Sequence, residues 1–282
     1  MSGAGAGPAD GATGDQIALV YGFATDRGLR RALNEDALLA ERHLFAVADG
    51  MGGHEAGEVA SSLCVGTFAR GQEQAGEWLT PEDLQDFMVS ADRAIREAAG
   101  SRAGTTVSGA ALVKQGEAPY WLVFNVGDSR TYLLSGDGFR QVTVDHSEVQ
   151  EMVDHGEITA EEALTHPRRN VITRALGTGD DSVADFWMLP ARPGDRLLIC
   201  SDGLTNEVSD AAIRDVMLSR TPPQIAVDDL LQAALRSGGR DNITLVIVDV
   251  QLEHADDESA DTAPRERIED GMTKPRLGGS TE

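Results

Sequence analysis

Four segments of the chain place an acidic residue beside Gly, Asn or Ser at what reads as a strand end: Ala48-Asp49-Gly50, Gly127-Asp128-Ser129, Ser201-Asp202-Gly203 and Arg240-Asp241-Asn242. A rigid sheet fixes a carboxylate at such a point, and an adjacent Gly lets the backbone turn so that its carbonyl can also face a cation. A single Asp-Gly is an ordinary turn. Four acidic ends gathered by one fold would repel one another, and a divalent cation is the usual remedy. Oxygen donors alone select hard octahedral ions such as Mg²⁺ and Mn²⁺ over Zn²⁺, which favours His and Cys.

The elements that must position these residues change period in blocks. Ile17–Ala24, Ala37–Ala40 and Leu44–Ala48 are short apolar or alternating runs between polar turns, as strands are. From Glu55 to Ala69, Ala56, Ala60, Leu63 and Phe68 recur at helical spacing, and a second helix opens at Thr80-Pro81 with Leu84, Phe87, Met88, Ala91 and Ile95 on one face. Strands return at Thr105–Lys114, Trp121–Val126 and Arg130–Leu134, with a turn at Ser135–Gly138 leading to Arg140–Val144. Arg196–Cys200 reads as a strand, helices begin at Ser209 and near Thr221 with a capping residue each, and Asn242–Val250 is the last strand. This order predicts an α+β fold, a four-layer αββα sandwich of two antiparallel sheets flanked by helices. A doubly wound sheet would need a helix after nearly every strand.

Residues 1–15 and 253–282 lack periodicity and are expected to be disordered tails around one domain at 16–252. The formal charge of -23 argues against nucleic acid or anionic lipid as partners, since binding those rests on clustered Lys and Arg. Cys64 and Cys200 lie in apolar stretches without metal-ligand spacing and read as buried filler. No apolar run reaches the ~18 residues of a membrane helix and the N-terminus carries no signal pattern, so a cytoplasmic monomer without membrane insertion is expected.

In order along residues 16–250, Arg31-Ala32-Leu33-Asn34-Glu35-Asp36, Asp49-Gly50-Met51-Gly52-Gly53-His54, Gly104-Thr105-Thr106, Gly127-Asp128-Ser129-Arg130, Ser201-Asp202-Gly203-Leu204 and Arg240-Asp241-Asn242-Ile243-Thr244 resemble the metal-dependent protein phosphatases of the PPM, or type 2C, family, its bacterial members most of all. The resemblance implies a Ser/Thr phosphatase that attacks phosphorus directly with a hydroxide bridging two Mn²⁺ or Mg²⁺ ions. Asp49 would bridge them, with the Gly50 carbonyl on one. Asp202 and Asp241 would complete the site, Glu35 and Asp36 would act partly through water, and Asp128 with Asp202 would hold a weaker third ion. Arg31 would grip the phosphate, its fork matching two oxygens. His54 would protonate the leaving oxygen. Animal-type members carry His directly after Asp-Gly, where this chain has Met51, so that role follows the bacterial spacing alone.

Residues 145–177 resemble the family's variable flap beside the active site. The histidines there, His146, His155 and His166, match no simple zinc spacing. Thr105 and Thr106 read as structural. The partners implied are phosphoproteins, including a Ser/Thr kinase and its substrates, with the chain counteracting that kinase. Two other readings remain open at this point: a two-metal phosphodiesterase built on a similar carboxylate cluster, and a catalytically weak phosphoprotein-binding scaffold.

Overall fold

The computed structural model describes residues 17–52, 56–99, 103–179 and 183–252. Both expected tails, and His54, lie outside the described residues. The chain runs through β1 (Ile17–Asp26), β2 (Asp36–Glu41), β3 (Leu44–Gly52), helices α1 (Ala56–Gln74) and α2 (Pro81–Ala99), then β4 (Ala103–Thr105), β5 (Val107–Gln115), β6 (Ala118–Val126), β7 (Arg130–Ser135) and β8 (Gly138–Gln141). Short helices α3 (Glu148–Asp154) and α4 (Ala160–Ala163) precede β9 (Asp185–Pro190) and β10 (Arg196–Cys200). The chain continues through α5 (Asp202–Thr205), α6 (Asp210–Leu218) and α7 (Pro223–Ser237) into β11 (Ile243–Leu252).

Strand side chains alternate faces, and here both faces of the central strands are apolar. On β3, Phe45 and Val47 enter a layer shared with Leu197, Ile199, Val246 and Val248 of the other sheet. Leu44, Ala46 and Ala48 face a second layer built with Phe68 of α1 and Leu84, Met88 and Ile95 of α2. On the opposite side, Leu198, Leu245 and Ile247 pack with Ile213 and Met217 of α6 and Val227 and Leu230 of α7. Three apolar layers between four structural ones make the αββα sandwich that the block order predicts. The sheets run β1-β11-β10-β7-β8 and β2-β3-β5-β6-β9, every pair antiparallel, with β4 paired to the end of β3. Cys64 and Cys200 are both buried and free, as their apolar setting suggests.

Local differences have identifiable causes. The strand expected over Thr105–Lys114 is broken at Thr106, whose N–H donates to the Asp49 carbonyl at 2.9 Å while its Oγ1 accepts from the Asp49 N–H at 3.2 Å. Strand β8 ends at Gln141: the Val142 N–H still reaches the Thr131 carbonyl at 2.8 Å, but the Thr131 N–H donates to Thr143 Oγ1 at 3.1 Å. Ser209 caps α6, its side chain accepting from the Ala212 N–H. No side chain caps α7, which starts after Pro222. Strand β9 has no counterpart in the sequence reading: it is an edge strand whose residues are mostly half-exposed, so it carries no clean alternation.

Candidate active site

The antiparallel register of β2 and β3 sets Asp36 opposite Asp49. Asp128 follows β6 in the turn to β7, Asp202 opens α5 one residue past β10, and Asp241 lies two residues ahead of Ile243, where β11 begins. Asp49 thus sits inside a paired strand and Asp241 at the entrance of one, so the expected pattern of acidic strand exits holds only for Asp128 and Asp202. Both sheets nonetheless deliver their carboxylates to one cleft of about 270 Å³, lined by Arg31, Glu35, Asp49, Asp128, Asp202 and Asp241, with Gly50 on its wall. Asp36 stands behind it, where the Ser201 hydroxyl donates to Oδ2 at 2.9 Å.

Close backbone packing makes this convergence possible. A Cβ on Gly50 would lie 2.1 Å from the Gly57 carbonyl oxygen and 2.5 Å from that of Glu35, so no larger residue fits beside Asp49. Gly127 has φ of +105°, a conformation that disfavours other residues, and a Cβ there would strike Thr106. Beneath it, His146 Nδ1 accepts the Gly127 N–H at 3.1 Å and its Nε2 lies 3.2 Å from Asp185 Oδ2. His146 therefore fixes the turn that carries Asp128, and burial pushes its pKa down.

The electrostatics are those of negative charge held away from water. Burial, then the neighbouring carboxylates, pushes Asp49 well above the usual carboxylate range; Asp36, Asp202, Asp128 and Asp241 all contribute. Asp36 is pushed up to about 7, burial again leading. Asp128 and Asp202 rise for the same first reason. The Asp241 carboxylate adds to the rise at Asp202. Asp36 Oδ1 is buried without a hydrogen-bond partner. Among the described residues no three acidic, His or Cys side chains already close around a point as a finished ligand set. Asp241 instead turns Oδ2 to Arg31 Nη2 at 2.6 Å. An orphaned buried carboxylate oxygen within an all-oxygen cluster fits hard divalent cations, which would supply the neutralising charge.

Several residues that shape the cleft carry no chemistry in the sequence reading. Asn242 is 4% exposed and makes three bonds to the segment that carries Arg31 and Glu35. Its Nδ2 donates to the carbonyls of Arg27 (3.0 Å) and Leu33 (2.9 Å), and its Oδ1 accepts the Glu35 N–H (2.8 Å). An amide is the side chain that can donate and accept at once, and that type beside Asp241 is the only signal the sequence offers. Thr106 is structural, as expected, and also lines the cleft. Asn170 and Ile172 reach the cleft from the flap, which no local pattern reveals.

A family model, Protein phosphatase 2C, matches residues 29–236. The serine/threonine protein phosphatase PstP of Mycobacterium tuberculosis is 40% identical over 244 residues, 83% of this chain and 45% of the relative. The chain therefore spans about half the length of that relative. The serine/threonine phosphatase stp of Listeria innocua is 36% identical over 244 residues, 82% of this chain and 95% of the relative. Among solved structures, the catalytic domain of PstP in complex with 2 manganese ions superposes with a TM-score of 0.75 at 37% identity, covering 84% of this chain and 100% of that one. A Mycobacterium smegmatis PPM Ser-Thr phosphatase in complex with cacodylate gives 0.74 at 39%, covering 81% and 97%. With a match across most of its length, a shared two-sheet fold and relatives at this identity, the chain belongs to the protein phosphatase 2C family.

Proposed function

We propose that this chain is a metal-dependent protein serine/threonine phosphatase. The observation that carries the reading is the convergence of Asp49, Asp128, Asp202 and Asp241, drawn from two sheets, on one cleft whose rim holds Arg31. Asp49, Asp202, Asp241 and the Gly50 carbonyl would hold two divalent ions, Mn²⁺ or Mg²⁺, with Glu35 and Asp36 supporting them through water. Asp128 with Asp202 would take a weaker third. The manganese in the PstP structure supports this choice. When bound, such ions lower the pKa of water toward neutrality and draw charge from a phosphoryl oxygen.

The chain's own groups do the rest. Arg31 is half-exposed, with side-chain exposure of 49%, and its pKa is raised first by the hydrogen bond to Asp241. A phosphate dianion would take the place of Asp241 on the guanidinium, gaining two parallel hydrogen bonds and freeing Asp241 Oδ2. Asn242 and the Glu35 backbone hold that arginine's segment against β11. His54 would give a proton to the departing serine or threonine oxygen. The substrates would be phosphoproteins, among them a Ser/Thr kinase and its targets, met in the cytoplasm by a monomer. No helix among the described residues is long and apolar enough to cross a membrane.

The test is one panel with Mn²⁺: phosphoserine, phosphothreonine and phosphotyrosine peptides beside a nucleotide diester. The expected result is turnover of the first two. Faster cleavage of the diester would favour a phosphodiesterase, and phosphopeptide binding without turnover would favour a scaffold.

A further inference from the structure

The cleft does not end at Asp241. Asn170 and Asp241 also line a small cavity of about 90 Å³, which shares Arg169, Asn206 and Glu207 with a groove of about 680 Å³. The three depressions neighbour one another through these shared residues, so a chain whose phosphorylated residue reached Arg31 would pass near the groove.

The groove offers a particular chemistry. Its flap wall is aliphatic: Val149 and Val153 on α3, Ala160 and Ala163 on α4, and Leu164. Leu164 is 72% exposed, and α4 buries none of its residues. A helix of four residues has no stability of its own, and this one is closed by a reciprocal capping box between Thr159 and Glu162. The flap thus carries an ordered turn that adds nothing to the core and presents an apolar side chain beside the groove. The deep polar groups are already engaged: Arg130 forks onto Asp145, Gln141 donates to the same carboxylate, and Ser209 caps α6. The rim carries both signs: Asp210, its side chain 60% exposed, accepts the Tyr132 hydroxyl at 3.0 Å and pairs with Arg130 at 4.0 Å, and the exposed Arg169 lines the groove on the side shared with the small cavity.

An aliphatic wall that shares lining residues with the way to the cleft suits the substrate's own chain. We propose that this groove is a specificity subsite that takes an aliphatic residue of the phosphoprotein on one side of the phosphorylated residue. The inference rests on the phosphatase reading and adds to it the class of sequence preferred.

The experiment uses the full chain with Mn²⁺ and p-nitrophenyl phosphate, which has no peptide to place in the groove. Beside it runs a set of phosphothreonine peptides in which a Leu, or a Ser, is moved through positions on either side. The expected result is a kcat/KM about tenfold higher for Leu than for Ser at one spacing on one side, the scale of burying part of a leucine. In Leu164→Asp and in Ala160→Trp, both changes at exposed positions, the ratio of kcat/KM for the preferred peptide to that for p-nitrophenyl phosphate falls by a similar factor. Equal rates for all peptides, or an unchanged ratio in both variants, would overturn the subsite while leaving the phosphatase reading in place. A wild-type chain that turns over neither substrate would overturn that reading, and the subsite with it.

Discussion

Asp36 and Asp49 stand directly opposite each other on neighbouring antiparallel strands, and each has its pKa raised, by burial first and then by other carboxylates. Like charges in that register oppose folding. The fold therefore gives up stability at this point for a concentration of negative charge, as functional sites commonly do.

Asp49→Asn should separate the two consequences. Removing one of the opposed charges is expected to stabilise the metal-free chain by about 0.5–1 kcal/mol, read as a higher Tm in chelator. Phosphopeptide turnover in Mn²⁺ is expected to disappear. A variant that lost both stability and activity would show that Asp49 matters chiefly to folding.

The raised carboxylates also set the sign of a pH effect. Asp36, ordinarily protonated only below about 4, holds its proton in the folded state up to about 7. Between those values the folded chain binds more protons than the unfolded one, so stability is fully present on the acid side and is lost as pH rises through the folded pKa. In EDTA, the Tm should fall between about pH 4 and about pH 7, and Mn²⁺ should reverse the trend. A Tm in EDTA that rises over this range would contradict the assignment.

Arg31→Lys keeps the charge and loses the fork. Hydrogen bonds to charged groups contribute roughly 1.5–3 kcal/mol, so competitive inhibition by inorganic phosphate should weaken by about 10- to 100-fold. Mn²⁺ affinity should change little. Unaltered phosphate inhibition would remove Arg31 from the site.

Asn242→Ala would leave the Glu35 N–H and the Arg27 and Leu33 carbonyls without their present partner. We expect a loss of about 1–3 kcal/mol in stability, together with a rise in KM that exceeds the fall in kcat, because the loosened segment carries Arg31. The opposite split would indicate that Asn242 acts on the carboxylates proposed to hold the metal.

The layers were legible because apolar residues such as Phe45, Val47, Leu197 and Val246 are strand formers buried on both sides, and the helices because Leu84, Phe87, Met88, Ala91 and Ile95 keep a strict helical spacing. Asp128 and Asp202 stood out because they lie where an apolar run gives way to a turn; Asp49 inside β3 and Asp241 ahead of β11 break that pattern and followed from the family motifs instead. Asn242, Asn170 and Ile172 were not legible. Their roles depend on which distant segment packs against them: Asn242 meets the segment from Arg27 to Glu35, and the two flap residues meet a cleft built from strands far away in the chain. Edge strand β9 escaped notice for a related reason, since half-exposure erases the alternation that marks a buried strand.

Calorimetric titration of the metal-free chain with Mn²⁺, for the wild type and Asp49→Asn side by side, tests the central claim most directly. The account predicts saturable binding of at least two equivalents by the wild type, and loss of the tightest binding in the variant. Identical isotherms for the two proteins, or no binding by either, would contradict it.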